Sequence, residues 1–281
     1  MKNIAALHSL WSKPFFYSKK YTKFSMPVCE ALTMMLSALT WKEKNGPIIL
    51  YADKFAKKFV IETALYKIYD EIKTLKVDKN IKPNTFWAAG KLSALKCEKR
   101  KAAVLDTDMI VWQDIRKQLS DFEIYAMHTE EILKQTYPEK NFFKMKNSYE
   151  FDEDWDWNIL PLNTSFLYIS DMKFKKYYLK KAFEFMKNAD AENDTLRYMV
   201  FAEQRLLSMC AEKKGLDIKT FLKFPESIGN QKIFTHLWGY KQILSASPEL
   251  RESFKERLIR RILNDFPDTK NIVKKTIELS I

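Results

Sequence analysis

Short apolar runs alternate with longer amphipathic stretches through the first half of the chain. Asn3–Leu7, Pro47–Tyr51, the weaker Tyr69–Leu75 and Ala102–Val111 read as buried strands. Between them, Met26–Thr40, Lys54–Lys67 and Asn84–Lys99 carry apolar positions at helical spacing, and Asn45-Gly46-Pro47 marks a turn. Strands alternating with helices argue for an α/β protein whose largely parallel sheet is covered by helices. The second half is more mixed. Phe122–Met127 and Leu160–Ser170 have strand character, and the lysine-rich, aromatic segment from Lys134 to Tyr149 reads as a surface loop or lid. Asp171 is placed to cap a helix that runs to about Lys187. From Asp194 to Lys214 the pattern is a helix with Asp194 as N-cap, Gly215 as stop, and Leu196, Met199, Val200, Leu206, Leu207 and Cys210 on one apolar stripe. A loop is expected from Phe224 to Gln231. Ser247-Pro248 opens a basic helix with Leu250, Phe254 and Leu258 on its buried side, and Asn271–Ile281 forms a short amphipathic tail helix.

Composition agrees with a packed domain. Of 281 residues 46% are hydrophobic and 14% aromatic, while five glycines and nine prolines argue against disorder and against a turn-rich β protein. Cys29, Cys97 and Cys210 are isolated and fit a reducing compartment rather than a metal framework. The net charge of +12 favours anionic partners, but the lysines are spread along the chain and no nucleic-acid module is recognisable. Met1–Leu10 lacks the apolar core of a signal peptide, and no run reaches bilayer-spanning length. A cytoplasmic location is expected, with peripheral contact at the inner face of the membrane left open. P-loop, Gly-x-Gly-x-x-Gly, Gly-x-Ser-x-Gly and zinc patterns are absent, which argues against P-loop NTPases, the usual dinucleotide dehydrogenases and serine hydrolases.

The chemistry concentrates at a few positions. Asp106 and Asp108 end the Ala102–Val111 run. In an extended chain residues i and i+2 share a face, so two carboxylates would project together at a strand end, where α/β sheets place ligands. Such a pair suits a hard divalent ion such as Mg²⁺ or Mn²⁺. Asp53 is another carboxylate at a strand end, and His8–Pro14, containing Ser9 and Trp11, reads as a loop after the first strand. Lys91 lies on one helical stripe with Trp87 and Leu95. It either extends its head to solvent or holds a phosphate. Glu203 falls in the middle of the Asp194–Lys214 stripe, where a carboxylate is costly unless it is paired, hydrogen-bonded or protonated. His236 is one of three histidines and sits in an aromatic, glycine-containing turn. In Phe151–Trp157, Trp155 and Trp157 alternate with Asp154 and Asp156, as in a half-buried edge strand; a sugar-stacking platform is the sharper alternative.

The ordered set Ser9–Pro14, Leu50–Asp53, Phe86–Lys91, Val104–Asp108, Leu162–Ser165, Ala202–Gln204 and Thr235–Gly239 resembles GT-A-fold glycosyltransferases. The likeness is to uncharacterised bacterial ones tied to surface polysaccharides, and it spans about residues 3–240. The resemblance implies a Rossmann-like, mixed, mostly parallel sheet flanked by helices in a catalytic domain over 1–240, with a helical C-terminal extension over 241–281 packed on it. It implies a glycosyltransferase of hexosyltransferase type, stereochemistry undetermined, moving a sugar from a UDP or GDP sugar to a glycan or lipid-linked acceptor. Asp106, Asp108 and His236 would then hold Mn²⁺ or Mg²⁺. Ser9, Trp11, Tyr51, Asp53, Lys91, Asp106 and Thr107 would bind the donor. Asn163, Glu203 and Gln204 would grip sugar and acceptor, with Glu203, Asp106 and Asp108 as catalytic groups. Thr164 and Ser165 depart from the glycine that many relatives carry after the asparagine. Membrane contact would fall to the basic C-terminal helices, and no nucleic-acid partner is expected.

Two other readings compete. A HAD-like phosphohydrolase also uses a strand-end Asp-x-Asp, but usually on its first strand, whereas here the motif lies about a hundred residues in and is followed by Met109. A basic, non-catalytic protein binding nucleic acid or a membrane surface would account for the charge alone.

Overall fold

The computed structural model describes residues 3–18, 22–146, 149–191, 194–223, 225, 231–237 and 239–281. Its strands are β1 (Ala5–Leu10), β2 (Ile48–Ala52), β3 (Glu71–Thr74), β4 (Ala102–Leu105), β5 (Met109–Val111), β6 (Ile124–Thr129), β7 (Leu162–Ile169), β8 (Ile218–Thr220) and β9 (Phe234–His236). Its helices are α1 (Lys13–Ser18), α2 (Val28–Lys44), α3 (Lys54–Glu62), α4 (Ala89–Cys97), α5 (Arg116–Asp121), α6 (Met172–Asn188), α7 (Arg197–Val200), α8 (Leu206–Lys213), α9 (Tyr240–Ala246), α10 (Pro248–Asp265) and α11 (Lys270–Leu279).

A seven-stranded sheet runs in the order β3-β2-β1-β4-β7-β6-β8. The β3, β2, β1 and β4 strands are mutually parallel, β7 is antiparallel to both β4 and β6, and β8 is parallel to β6. A second sheet pairs β5 with β9, antiparallel. The expected class therefore stands: a mixed, mostly parallel sheet flanked by helices. Strand periodicity of two sorts the core into layers. Leu7, Ile49 and Val104 pack beneath α4 and α6, while Ala6, Leu50 and Leu105 pack beneath α2 and α3. The C-terminal helices cover α2: Val28 and Met26 exchange backbone hydrogen bonds with Ile281, and Leu258 and Ile262 join the α2 core layer. Among the described residues no helix is long and apolar enough to cross a membrane.

Several boundaries differ from those expected. The Ala102–Val111 run is two strands. It breaks at Asp106–Asp108, where the Met109 amide donates to the Asp106 carbonyl at 3.0 Å and closes a turn. β5 then leaves the main sheet to pair with β9. β1 extends through His8, Ser9 and Leu10, because polar His8 is buried among side-chain partners rather than left in a loop. The α4 helix starts at Ala89, so Trp87, at 46% exposure, lies outside it. Phe151–Trp157 is not a strand; Trp155 is buried in the core and Trp157 stacks on Phe201. The 134–149 segment is no free lid, since Tyr137 and Phe143 are buried. The Asp194–Lys214 helix begins at Arg197 and contains a π turn over Phe201–Arg205, and Leu196 is exposed rather than on the stripe. His236 belongs to a strand, not a turn. The exposed Leu250 leaves Leu258 to anchor its helix. Most of the Phe224–Gln231 loop, and Trp238, lie outside the described residues.

Candidate active site

In a doubly wound sheet, ligands bind beyond the carboxyl ends of the strands, where the connections diverge. Here β1 runs on toward β2 on one side while β4 lies on its other side. The crevice is therefore bounded by the residues after β1 and after β4, namely Trp11-Ser12 and Asp106-Thr107-Asp108.

Two backbone bonds pin the acidic turn. The Asp106 amide donates to the Ser165 carbonyl of β7 (2.8 Å), and the Asp108 carbonyl accepts from Leu237, the residue after β9 (3.2 Å). The β5–β9 register places Met109 opposite His236. As a result one ligand atom each of Asp106, Asp108 and His236 lies within 4.8 Å of the others, and this is the one such group among the described residues. Two carboxylate oxygens and an imidazole nitrogen are a fitting donor set for a divalent ion, and the turn, rather than strand alternation, is what makes them converge.

Two lysines already pair with these acids. Lys91 projects from the first turn of α4 and is buried at 6% exposure. Its Nζ donates to Asp106 Oδ1 (2.6 Å) and to the Thr164 carbonyl (3.0 Å), and it is ion-paired with Glu203 Oε1. Glu203, 1% exposed, also accepts from Thr164 Oγ1 at 2.7 Å. Burial acts to lower the Lys91 ammonium, but Asp106 and Glu203 outweigh it and hold it above the usual range. Burial pushes the Asp106 carboxyl up to about 7; Lys91 opposes this, while Glu203 and Asp108 add to it. For Asp108 burial again acts upward, but Lys241 at 2.9 Å and then His236 prevail and hold it below the carboxylate norm. Burial lowers His236 to about 4 against the pull of Asp108, so its ring is neutral and has a lone pair to offer. With Asp106 ionised, three carboxylates face two ammonium groups. A divalent cation would turn that net negative charge into a net positive one, suited to a diphosphate.

The other sequence-derived candidates fall into three places. Around the crevice, Ser9 lies in β1 and Thr107 in the acidic turn. Trp11 packs against Gly90 so closely that a Cβ there would sit 2.8 Å from the Trp11 Cβ; this contact seats Lys91 over the sheet end. Asp53 caps α3 through Ala56 N (3.0 Å), and its other oxygen accepts from Ser12 N and Oγ, each at 2.8 Å, tying the β1 and β2 loops together. On the β7–β6 side, Asn163 donates to Glu130 (2.9 Å) and accepts from Ser165, and Gln204 accepts from the Tyr137 hydroxyl at 2.5 Å. Tyr51 belongs to a third network: its hydroxyl donates to Glu98 (3.2 Å), which also binds Lys73 and Arg100.

Two contributors escaped sequence reasoning. Lys241 is one of 48 basic residues, and nothing in its spacing marks it. The second is a buried chain beneath the turn. The Met109 carbonyl can only accept, so the Ser37 hydroxyl donates to it (2.5 Å). His8 Nε2–H then donates to Ser37 Oγ (3.1 Å), and the Tyr69 hydroxyl donates to His8 Nδ1 (2.9 Å). Burial lowers His8 to about 3, which keeps the ring neutral as this chain requires. The sequence signal was present in part: a histidine inside an apolar strand run must find partners.

No curated protein sequence matches the chain. Among solved structures it superposes on the apo form of the glycosyltransferase GlyE of Streptococcus pneumoniae TIGR4 with a TM-score of 0.42, at 12% identity over 78% of this chain and 45% of that one. Apo mouse xyloside xylosyltransferase 1 gives 0.41, at 9% identity over 79% and 85%. A nucleoside-diphosphate-sugar pyrophosphorylase from Vibrio cholerae RC9 gives 0.40, at 12% over 80% and 98%. The chain thus spans less than half the length of the pneumococcal enzyme. Superpositions this loose leave the chemistry to the residues themselves. A family profile covers almost the whole sequence, residues 1–275, and by it the chain belongs to DUF6734, a family of unknown function.

Proposed function

We propose that this chain is a GT-A-type, metal-dependent glycosyltransferase that moves a sugar from a nucleoside-diphosphate sugar to a glycan or lipid-linked acceptor. The observation that carries the reading is the convergence of Asp106, Asp108 and His236 at the end of β4, with Lys91 buried behind them. Asp106, Asp108 and His236 are the residues that would hold Mn²⁺ or Mg²⁺, and the imidazole nitrogen favours Mn²⁺. A bound divalent ion supplies Lewis-acid stabilisation of the diphosphate leaving group.

The remaining chemistry belongs to the chain. Transfer breaks the bond between the anomeric carbon and a diphosphate oxygen, and negative charge grows on that oxygen. Lys91 and Lys241 flank the crevice and stabilise that charge in a partly dehydrated setting, where electrostatic interactions are strong. Glu203 acts through Lys91: it holds the ammonium in place and sets the field around Asp106. Ser9, Trp11 and Asp53 shape the nucleotide end of the crevice after β1 and β2. Asn163 and Gln204, on the β7 side, border the acceptor end.

Thermal shift against a panel of nucleoside diphosphates with and without Mn²⁺ tests the proposal. UDP or GDP should raise the melting temperature only with the metal, by an amount set by ligand excess over Kd. Asp108→Ala should remove that increment while leaving a cooperative transition. A panel with no nucleotide response, together with tight and salt-sensitive DNA binding, would return the protein to the non-catalytic, basic binding class.

A further inference from the structure

A second site lies at the other end of the sheet. Glu98 precedes β4 and Asp106 follows it, so the surface around Glu98 is separated from the acidic turn by the length of that strand. There the C-terminal end of α4 and one long face of α6 enclose a groove of about 610 Å³. Its floor is apolar: Leu179 and Phe183 are buried there, and Lys96 Nζ lies 4.6 Å from the Phe183 ring centroid. Its rim is cationic, with Lys96, Lys99, Lys176 and Lys180 all exposed.

Inside this rim Lys175 is buried at 4% exposure. Its ammonium has three donors, and the structure records one bond, to the Glu98 carbonyl at 2.8 Å. The acids that line the groove do not neutralise it. Glu98 is shared between Lys73 (2.8 Å) and Arg100 (3.0 Å), and Glu184 pairs loosely with Lys180 at 3.7 Å. Burial holds the Lys175 ammonium below its usual range, so an anion in the groove would relieve a desolvated charge.

We propose that this groove is a docking site for an acidic phospholipid at a bilayer surface, with the phosphate taken by Lys175 and the rim lysines and the first part of the acyl chain lying on Leu179 and Phe183. Charge complementarity and the apolar floor together select this occupant. A free inorganic anion would use the lysines and leave the apolar lining, Met172 and the lysine stems above Leu179 and Phe183, without a partner, and the groove exposes no aromatic ring on which a base could stack. The site is separate from the acidic turn and does not depend on the glycosyltransferase reading.

The test is co-sedimentation of the full chain with phosphatidylcholine vesicles that do or do not contain phosphatidylglycerol. Binding is expected only with the anionic lipid. Each lysine near such a surface contributes about fivefold in affinity, so Lys176→Gln with Lys180→Gln should weaken binding by roughly 25-fold. Lys54→Gln with Lys58→Gln makes the same charge change on exposed positions of α3, on the other face of the sheet, and should leave binding close to wild type. Both pairs change exposed residues, and unchanged melting temperatures verify their folds. Equal loss in the two pairs would show a diffuse charge effect and overturn the site. So would unchanged binding in the groove pair, absence of wild-type binding, or a groove pair that loses only inorganic phosphate or duplex DNA binding.

Discussion

Replacing Lys91 by methionine should be among the most damaging single changes at the sheet end, and the size follows from its partners. Methionine keeps much of the stem volume but removes an ammonium that meets Asp106, Glu203 and the Thr164 carbonyl. Asp106, with its carboxyl already pushed up to about 7 and partly open to solvent, becomes neutral at small cost. Glu203 has no such route, because it is 1% exposed and keeps only the Thr164 hydroxyl as donor. Its carboxyl is left in the core without a cation. Removing one partner of a buried ion pair costs roughly 3–5 kcal/mol. With a urea m-value of about 3 kcal/mol/M, the midpoint of unfolding should fall by about 1–1.7 M. Adding Glu203→Gln removes the stranded carboxyl, so the double variant should recover more than half of the loss at pH 7. The assay is urea denaturation of wild type, both singles and the double at pH 7. A midpoint shift below about 0.3 M, or a double variant no more stable than Lys91→Met alone, would show that Glu203 is not held by Lys91 in the folded protein.

Three further outcomes can be checked independently. Ser37→Ala breaks the chain from Tyr69 through His8 to Met109 and strands His8 Nε2–H in the core; it should cost about 1–3 kcal/mol in urea denaturation and weaken Mn²⁺ binding at the neighbouring turn, and a neutral effect on both would contradict the directed chain. Glu98→Gln should cost on the order of 2 kcal/mol near neutral pH, because Glu98 is 2% exposed and accepts charged hydrogen bonds from Lys73 and Arg100. Those partners, against burial, hold its carboxyl below the unfolded value, so the wild-type advantage is full above about pH 5 and lost as pH falls through the unfolded pKa and below; an advantage that grows on acidification would be the wrong sign. Gly90→Ala should lower the melting temperature and shift tryptophan fluorescence although alanine is favoured in a helix by about 1 kcal/mol, since its methyl would lie 2.8 Å from the Trp11 Cβ; a stabilised protein would mean that α4 and the β1 loop are not in contact.

What could be read along the chain was whatever depends on neighbours a few residues apart. Alternating apolar runs and amphipathic stretches revealed the parallel half of the sheet, because strands buried on both faces have to be short and apolar while their covering helices carry a stripe. The Asp171 cap, the Ser247-Pro248 helix start and the cost of an apolar-face Glu203 were legible for the same reason: each is a local satisfaction problem whose answer is written within one or two turns. Periodicity could not show where the chain turns inside an apolar run. Ala102–Val111 looks like one strand, yet β4 finds its partners in β1 and β7 while β5 finds β9, more than a hundred residues away, and the turn between them is what gathers Asp106 and Asp108. Nor could it show that Lys91 would be drawn inside rather than extended to solvent. That follows from Gly90 allowing α4 to approach Trp11 and from Glu203 arriving on a helix that passes beneath. Lys241, the His8 chain and the lysine groove along α6 belong to the same class. Their side chains matter through partners far away in sequence, and the free energy that brings them together comes from burying the two core layers, not from any local pattern.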